Sequence, residues 1–354
     1  MAAITTAAER DFKYGVCYGN HATAGDFDGI TWQALGATLI PVEEPIDFKQ
    51  NVAMRRPFRA NTHRVAYYGD TSNDKLGVSP TVGIRCPAVD NILDLFLGSA
   101  FQVVTEGAAS PFVKNFVLAD SAAEAPSFTG NAGCYLTLIK AGQIAANDDD
   151  EAICSAICSK LTLSCYPGQH DGRLWIEADM IGRYHQDGQN YTGTMAVPTA
   201  YTYYNFADLG GVTIGGDTVT CFGFSVTITT NAKPIPTGGS GTNGTLNFVL
   251  PHYEVSGEID FLYQTEVMDA MNAEDTDTLE QIVIYWGASS TCTSDNEMVI
   301  KVNAKFNDDS SQGNEEARRV LKFDGVKGAS AEACNIDFAN AIDRGTTYAA
   351  QFWG

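Results

Sequence analysis

The run Ser159-Lys-Leu-Thr-Leu-Ser-Cys-Tyr-Pro-Gly168, followed by Gly172-Arg-Leu-Trp-Ile-Glu-Ala-Asp-Met-Ile-Gly182, decides the fold class. In its first part Leu161, Leu163 and Cys165 alternate with Thr162 and Ser164, and Tyr166-Pro-Gly168 ends the alternation. In its second part Leu174, Ile176, Ala178 and Met180 alternate with Trp175, Glu177 and Asp179 as far as Gly182. Successive side chains on a strand point to opposite faces. Period-two spacing on both sides of a Pro-Gly turn therefore predicts a hairpin with one buried face and one wet face.

The same spacing recurs toward the C-terminus. Phe222, Phe224, Val226 and Ile228 alternate with Gly223, Ser225, Thr227 and Thr229. Val255, Gly257, Ile259 and Phe261 alternate with Ser256, Glu258 and Asp260. Met298, Ile300, Val302, Ala304 and Phe306 alternate with Val299, Lys301, Asn303 and Lys305. Runs of this length predict half-buried strands. Helical spacing is rare: Asp90–Leu97 begins with a capping residue and stops at Gly98, and Glu266–Met271 is a weaker candidate. The acidic run Asp148–Glu151 reads as a solvated turn.

In order, these elements repeat. Strands near Ala37–Phe48 and Val78–Ala88, the helix at 90–97, and strands at Gly133–Ile139, Ser159–Tyr166 and Arg173–Ile181 form one set. Strands at Val219–Thr230 and Tyr253–Leu262, the candidate helix at 266–271, and strands at Gln281–Trp286, Met298–Phe306 and Val320–Phe323 form the second. A long segment follows the first strand of each set. The expectation is a mainly β protein of two tandem β-sandwich units, 31–200 and 201–354, each with a short flanking helix and long inter-strand loops. Residues 1–30 lack periodicity and read as an N-terminal arm. Two unrelated β-domains are the competing organisation.

Composition agrees with a strand-rich chain that can fill full-sized cores: 354 residues, 44% hydrophobic and 10% aromatic, with 34 glycines for turns. The net charge of −21 comes from 43 acidic and 22 basic residues, so phosphate backbones are repelled overall. The first ten residues lack the apolar core of a signal peptide, and no run reaches the ~18 apolar residues of a membrane span. Nine scattered cysteines, an odd number, suit free buried thiols in a reducing cytoplasm better than a disulfide framework.

The search for chemistry finds no catalytic motif, no cofactor fingerprint and no convincing metal site. Gly223-Phe-Ser225 lacks the trailing glycine of a nucleophile elbow and lies within a strand pattern. Gly238–Gly244 is glycine-rich, but neither a Lys-Ser/Thr pair nor a helix follows, so it reads as a hairpin tip. Cys154 and Cys158, with Cys165 and His170 nearby, are a weak zinc candidate whose spacing is irregular. Asn307–Gly313 resembles a calcium loop, but the register places Arg319 where the bidentate glutamate belongs. Any two of the acids could meet in space as a glycosidase pair, so that chemistry stays open.

One constellation opposes the overall charge. Lys49, Arg55, Arg56, Arg59 and Arg64 cluster with Met54, Phe58, Tyr67 and Tyr68 in the long segment after the first strand. Alone, a basic-aromatic segment suggests nucleic acid. In so acidic a molecule it more naturally docks on an acidic neighbour of the same kind, which makes Lys49, Arg55, Arg56, Phe58, Arg59 and Arg64 candidate subunit contacts. A solvated hairpin surface would look the same residue by residue.

With Val78-Ser-Pro-Thr-Val-Gly-Ile84 before the helix Asp90–Leu97, the 159–182 hairpin, Phe224–Asn231 and Val255–Ile259, the chain resembles the tail tube proteins of long-tailed bacteriophages. The likeness spans roughly residues 35–330 and lies in diffuse strand patterns. It implies a non-enzymatic virion protein, assembled in the host cytoplasm, whose rings stack into a tube. The partners it implies are further copies of the chain, other tail proteins such as the tape measure and the terminator, and DNA passing through the lumen without specific binding. No membrane is implied. Six sandwich units per ring would need six one-unit chains or three two-unit chains, and the tandem reading favours three. Another virion protein (capsid, decoration or baseplate) and a two-domain carbohydrate-binding or hydrolytic β-protein are the alternatives.

Overall fold

The alternating runs become strands whose inward residues form one core. The computed structural model describes residues 12–18, 36–48, 53–55, 72–74, 79–119, 134–142, 150–197, 201–236, 245–262, 279–311, 318–329 and 331–344. The first strands are β1 (Phe12–Tyr18), β2 (Ala37–Leu39), β3 (Ala53–Arg55), β4 (Ser72–Asp74) and β5 (Thr81–Pro87), followed by helix α1 (Asp90–Phe101). Next come β6 (Gln102–Glu106), β7 (Phe112–Leu118), β8 (Leu136–Gly142), β9 (Asp150–Cys165), β10 (Trp175–Ile181), β11 (Tyr184–Gln189) and β12 (Met195–Ala196). The second half holds β13 (Leu209–Ile214), β14 (Asp217–Val219), β15 (Cys221–Thr229), β16 (Lys233–Pro236), β17 (Thr245–Val249) and β18 (Glu254–Leu262). It ends with β19 (Glu280–Trp286), β20 (Glu297–Ser311), β21 (Arg318–Gly325) and β22 (Cys334–Asn340). The protein is mainly β, with α1 the one α-helix among the described residues.

The pairings define a front sheet ordered β5-β10-β9-β15-β18-β21, antiparallel throughout. A back sheet runs β14-β13-β19-β20-β22-β7-β6. A side sheet runs β12-β2-β1-β8-β9-β11, with β12 parallel to β2. Two long strands knit these together. The first half of β9 lies in the side sheet and its second half in the front sheet. The first half of β20 lies in the back sheet, and its end pairs with β21 at the rim of the front sheet.

The repeated order of the sequence reappears in the pairing for four strands of each set but not for the first, since β2 pairs with β1 and β12 whereas β15 pairs with β18 and β9. The ladder β5-β10-β9-β8 is matched by β18-β21-β20-β19, each with its long strand third. The candidate second helix at 266–271 lies outside the described residues. The two sets do not enclose separate cores, however. The β9–β15 and β22–β7 ladders cross the expected boundary at 200/201. A single buried cluster includes Ile84 and Phe96 from the first half and Phe224 and Phe338 from the second. Phe224 of the front sheet meets Trp286 of the back sheet edge-on, ring centroids 5.7 Å apart.

Three local expectations are corrected. Residues 12–18, read as part of an arm, form β1 and bury Tyr14, Val16 and Tyr18 between β2 and β8. Asp150 and Glu151, read as a solvated turn, begin β9, where the buried Asp150 carboxylate accepts the Gly142 and Tyr191 amides at 2.6 Å each. The helix does not stop at Gly98. It continues to Phe101 and is capped by Gln102 in the left-handed conformation, φ 70°. Asp90 sits in its first turn rather than at the cap, which is Val89. From Asn91 onward every residue of α1 is buried, so ordinary amphipathic spacing could not mark its end.

Candidate functional site

The outward residues of the front sheet form the broadest organised surface. Strand registers align them in rows across six strands. One row reads Arg85, Glu177, Thr162, Thr227, Ser256 and Asp324. A second reads Gly83, Asp179, Lys160, Thr229 and Glu254. The inward neighbours Ile84, Ala178, Leu161, Ile228 and Val255 are all buried. The alternation thus separates an apolar face from a polar one over the whole sheet.

Short polar side chains tie this face together. The Thr162 and Thr227 hydroxyls lie 2.9 Å apart, and the Tyr166 hydroxyl donates to Glu258 Oε1 at 2.7 Å. On the inward side of the same sheet Gly257 is required, because a Cβ would come within 2.3 Å of the Ser225 carbonyl oxygen and 2.4 Å of the buried Phe323 ring. The carboxylates of Glu177, Asp179, Glu254, Glu258 and Asp324 outnumber the cations of Arg85, Lys160 and Lys322 along the rows. Shallow polar hollows mark the face, one lined by Arg85, Lys160, Thr162, Glu177 and Asp179. Another is lined by Ser225, Thr227, Ser256, Glu258, Lys322 and Asp324.

The two rims differ. At one, the end of β20 flanks β21. At the other, β5 pairs with β10 and with no second strand among the described residues. Its counterpart in the repeat, β18, has β15 in that position.

Of the sequence-predicted contact residues, Arg55 lies in β3, whose backbone pairs antiparallel with β4 through Arg55↔Ser72 and Ala53↔Asp74. Lys49, Arg56, Phe58, Arg59 and Arg64 lie outside the described residues, as does the glycine-rich run 238–244. The strands flanking that run, β16 and β17, pair as a hairpin.

The weak zinc candidate does not assemble. Cys154, Cys158 and Cys165 are spread along β9, where each residue advances the chain by about 3.3 Å. His170 is exposed and stacks on Trp175 at 3.9 Å. The Cys158 thiol donates to the Lys160 carbonyl at 3.1 Å. Among the described residues no group of three or more His, Cys, Asp or Glu side chains is placed to hold a metal ion. Asn307–Ser311, the start of the calcium look-alike, is the strand end of β20.

The cysteines are free, seven of them buried and Cys221 and Cys292 half-buried. Burial pushes the thiols up, to about 12 for Cys17, Cys165, Cys221, Cys292 and Cys334. Thiols held so far above neutrality act as small hydrophobes rather than nucleophiles or ligands. Among the described residues no helix is long and apolar enough to cross a membrane.

No protein-family model matches the chain, and no curated protein matches it.

Proposed function

We propose that this chain is a structural, non-enzymatic virion protein that polymerises as stacked rings into the tail tube of a long-tailed bacteriophage. The carrying observation is the front sheet. Its wet face is continuous and made of Ser, Thr and charged side chains with a carboxylate excess, and it ends at a rim strand, β5, with an unpaired side among the described residues. An open edge leaves backbone N–H and C=O groups without partners. Closing several such sheets into a barrel satisfies them. A barrel lined by this face would repel phosphates and let a genome slide.

The repeat bears on how many copies close the ring. Because β15 stands beside β18, the matching side of β5 is where a strand from the neighbouring subunit belongs. With two related ladders in each chain, three chains supply what six one-ladder chains would. Other tail proteins, a tape measure inside and a terminator at the end, are the further partners of this reading, and the virion tail is its location.

Negative-stain electron microscopy of the purified chain tests the proposal. Rings or tubes with a central channel are expected. Monodisperse monomers at high concentration, together with specific retention on a glycan array, would instead favour a carbohydrate-binding β-protein.

A further inference from the structure

Lys114, on β7, is fully buried, and so is Asp94 of α1. The Lys114 register partner across the back sheet is Phe338, and Asn340 lies two residues further along β22, on the same inward face. Lys114 Nζ donates to Asn340 Oδ1 at 2.5 Å and to the Ile342 carbonyl at 2.8 Å. Asn340 is 1% exposed. Its amide nitrogen donates to the Asp90 carbonyl at 3.1 Å, and its oxygen also accepts the Ile342 amide at 3.1 Å. The amide is therefore held in one orientation, with its carbonyl facing the amine.

Two carboxylates close the site. Glu106 Oε1 is 3.5 Å and Asp94 Oδ2 3.6 Å from Lys114 Nζ. Arg344 Nε donates to Asp94 Oδ2 at 3.1 Å, and the Arg344 amide donates to Glu106 Oε1 at 3.0 Å. The second oxygens, Asp94 Oδ1 and Glu106 Oε2, are buried without hydrogen-bond partners among the described residues. Burial pushes the Lys114 amine below the usual lysine range, against the pull of both acids, and lifts the Glu106 carboxyl. Both shifts favour a neutral amine beside a neutral acid.

We propose that this constellation forms a covalent isopeptide bond between Lys114 Nζ and Asn340 Cγ, made by the folded chain on itself. Lys114 passes its ammonium proton to Glu106, and the freed lone pair adds to Cγ of the Asn340 amide. The tetrahedral centre collapses with cleavage of the Cγ–Nδ2 bond. Nδ2 takes up the proton that Nζ sheds, relayed through Glu106, and departs as ammonia. Glu106 then yields its first proton to the leaving ammonia and returns to the carboxylate. One C–N bond forms, one breaks, and no oxidant or cofactor enters. Asp94, fixed by Arg344, is a positioning residue that holds the amine against the amide. Holding amine and amide together in a dry pocket supplies the proximity that the same pair lacks in water.

Intact-mass measurement of the denatured protein tests this, with a tryptic map alongside. The expected mass is one ammonia below that of the sequence. Trypsin should skip Lys114, and a branched peptide should join Cys86–Lys140 to Gly328–Arg344. Glu106→Gln, of equal shape, should restore the full mass in folded protein. Lys114→Met should do the same, and if that variant fails to fold, the wild-type branched peptide and Glu106→Gln still decide. A full sequence mass with separate linear peptides from folded wild-type protein would overturn the proposal. So would an unchanged branched peptide in Glu106→Gln.

Discussion

Glu297, at the start of β20, shows how single side chains set local order. Its Oε2 accepts the Thr293 amide at 2.5 Å and the Ser294 amide at 2.8 Å. It thereby fixes the loop between β19 and β20. Burial raises its carboxyl, but these amide donors outweigh burial and leave it below the ordinary glutamate value of 4.5. A depressed folded value stabilises the protein above the unfolded value and stops doing so as pH falls through the folded one. Glu297→Gln should therefore cost about 1–3 kcal/mol at pH 7, with the gap to wild type closing below pH ~4. Urea midpoints at the two pH values measure it; an equal gap at both would remove the charge from the explanation.

The thiols give a second residue-scale prediction. In native protein, an aromatic disulfide reagent should label Cys221 and Cys292 at most, whereas denatured protein should label all nine cysteines. Rapid native labelling of more than two would contradict the raised thiols.

At the scale of elements, much of the front sheet was legible and much of the back sheet was not. The second half of β9, β10 and β15 carry clean alternation, because one side of each meets the core and the other is at least partly exposed. The first part of β20 alternates in sequence although Val299 and Asn303 on its other side are buried too. β7 hides because Lys114 occupies an inward position where the pattern demands an apolar residue. β22 does alternate, Cys334, Ile336 and Phe338 inward against Asn335 and Asp337 outward, so its signal is present in the sequence but short. β1 alternates as well, Phe12, Tyr14, Val16 and Tyr18 facing the main core, while on its other face Gly15 packs closely on Ala37, to which a Cβ would come within 3.0 Å. The extent of α1 was obscured by Gly98, a residue that usually ends a helix but here lies within one, where a Cβ would sit at an ordinary 3.8 Å from Cys134 and the Tyr18 hydroxyl.

The polar face itself was visible residue by residue as the wet half of each alternation. Its assembly into rows was not, because register depends on pairing between distant strands. The basic segment calls for its own experiment at this scale. Arg55→Glu, Arg56→Glu and Arg59→Glu together should leave folded, soluble protein that no longer polymerises, read by circular dichroism and electron microscopy. Exposed ion pairs contribute only ~0–1 kcal/mol each, so three reversals are combined. Unaffected tubes would dismiss the segment as a subunit contact.

For the whole molecule the decisive quantity is symmetry. The two ladders share one core, yet their surroundings differ: α1 and the side sheet flank the first, and the 233–249 hairpin follows β15. In the proposed ring of three chains two such unlike positions would alternate, giving true three-fold and only approximate six-fold symmetry. Native mass spectrometry of isolated rings should count three chains, and averaged tube cross-sections should be three-fold. Six full-length chains per ring would exclude the tandem arrangement while leaving a tube intact.

The pairing of β22 with β7 has a consequence for biosynthesis. The strand that completes the middle of the back sheet leaves the ribosome more than two hundred residues after its partner. Until β22 emerges, that edge of β7 waits without its cover. Contacts so distant along the chain are slow to form, and a nascent chain held open in this way is exposed to aggregation. A chain cut short before Cys334 should be trapped by chaperones or precipitate, which restricts entry into any assembly to copies that carry β22.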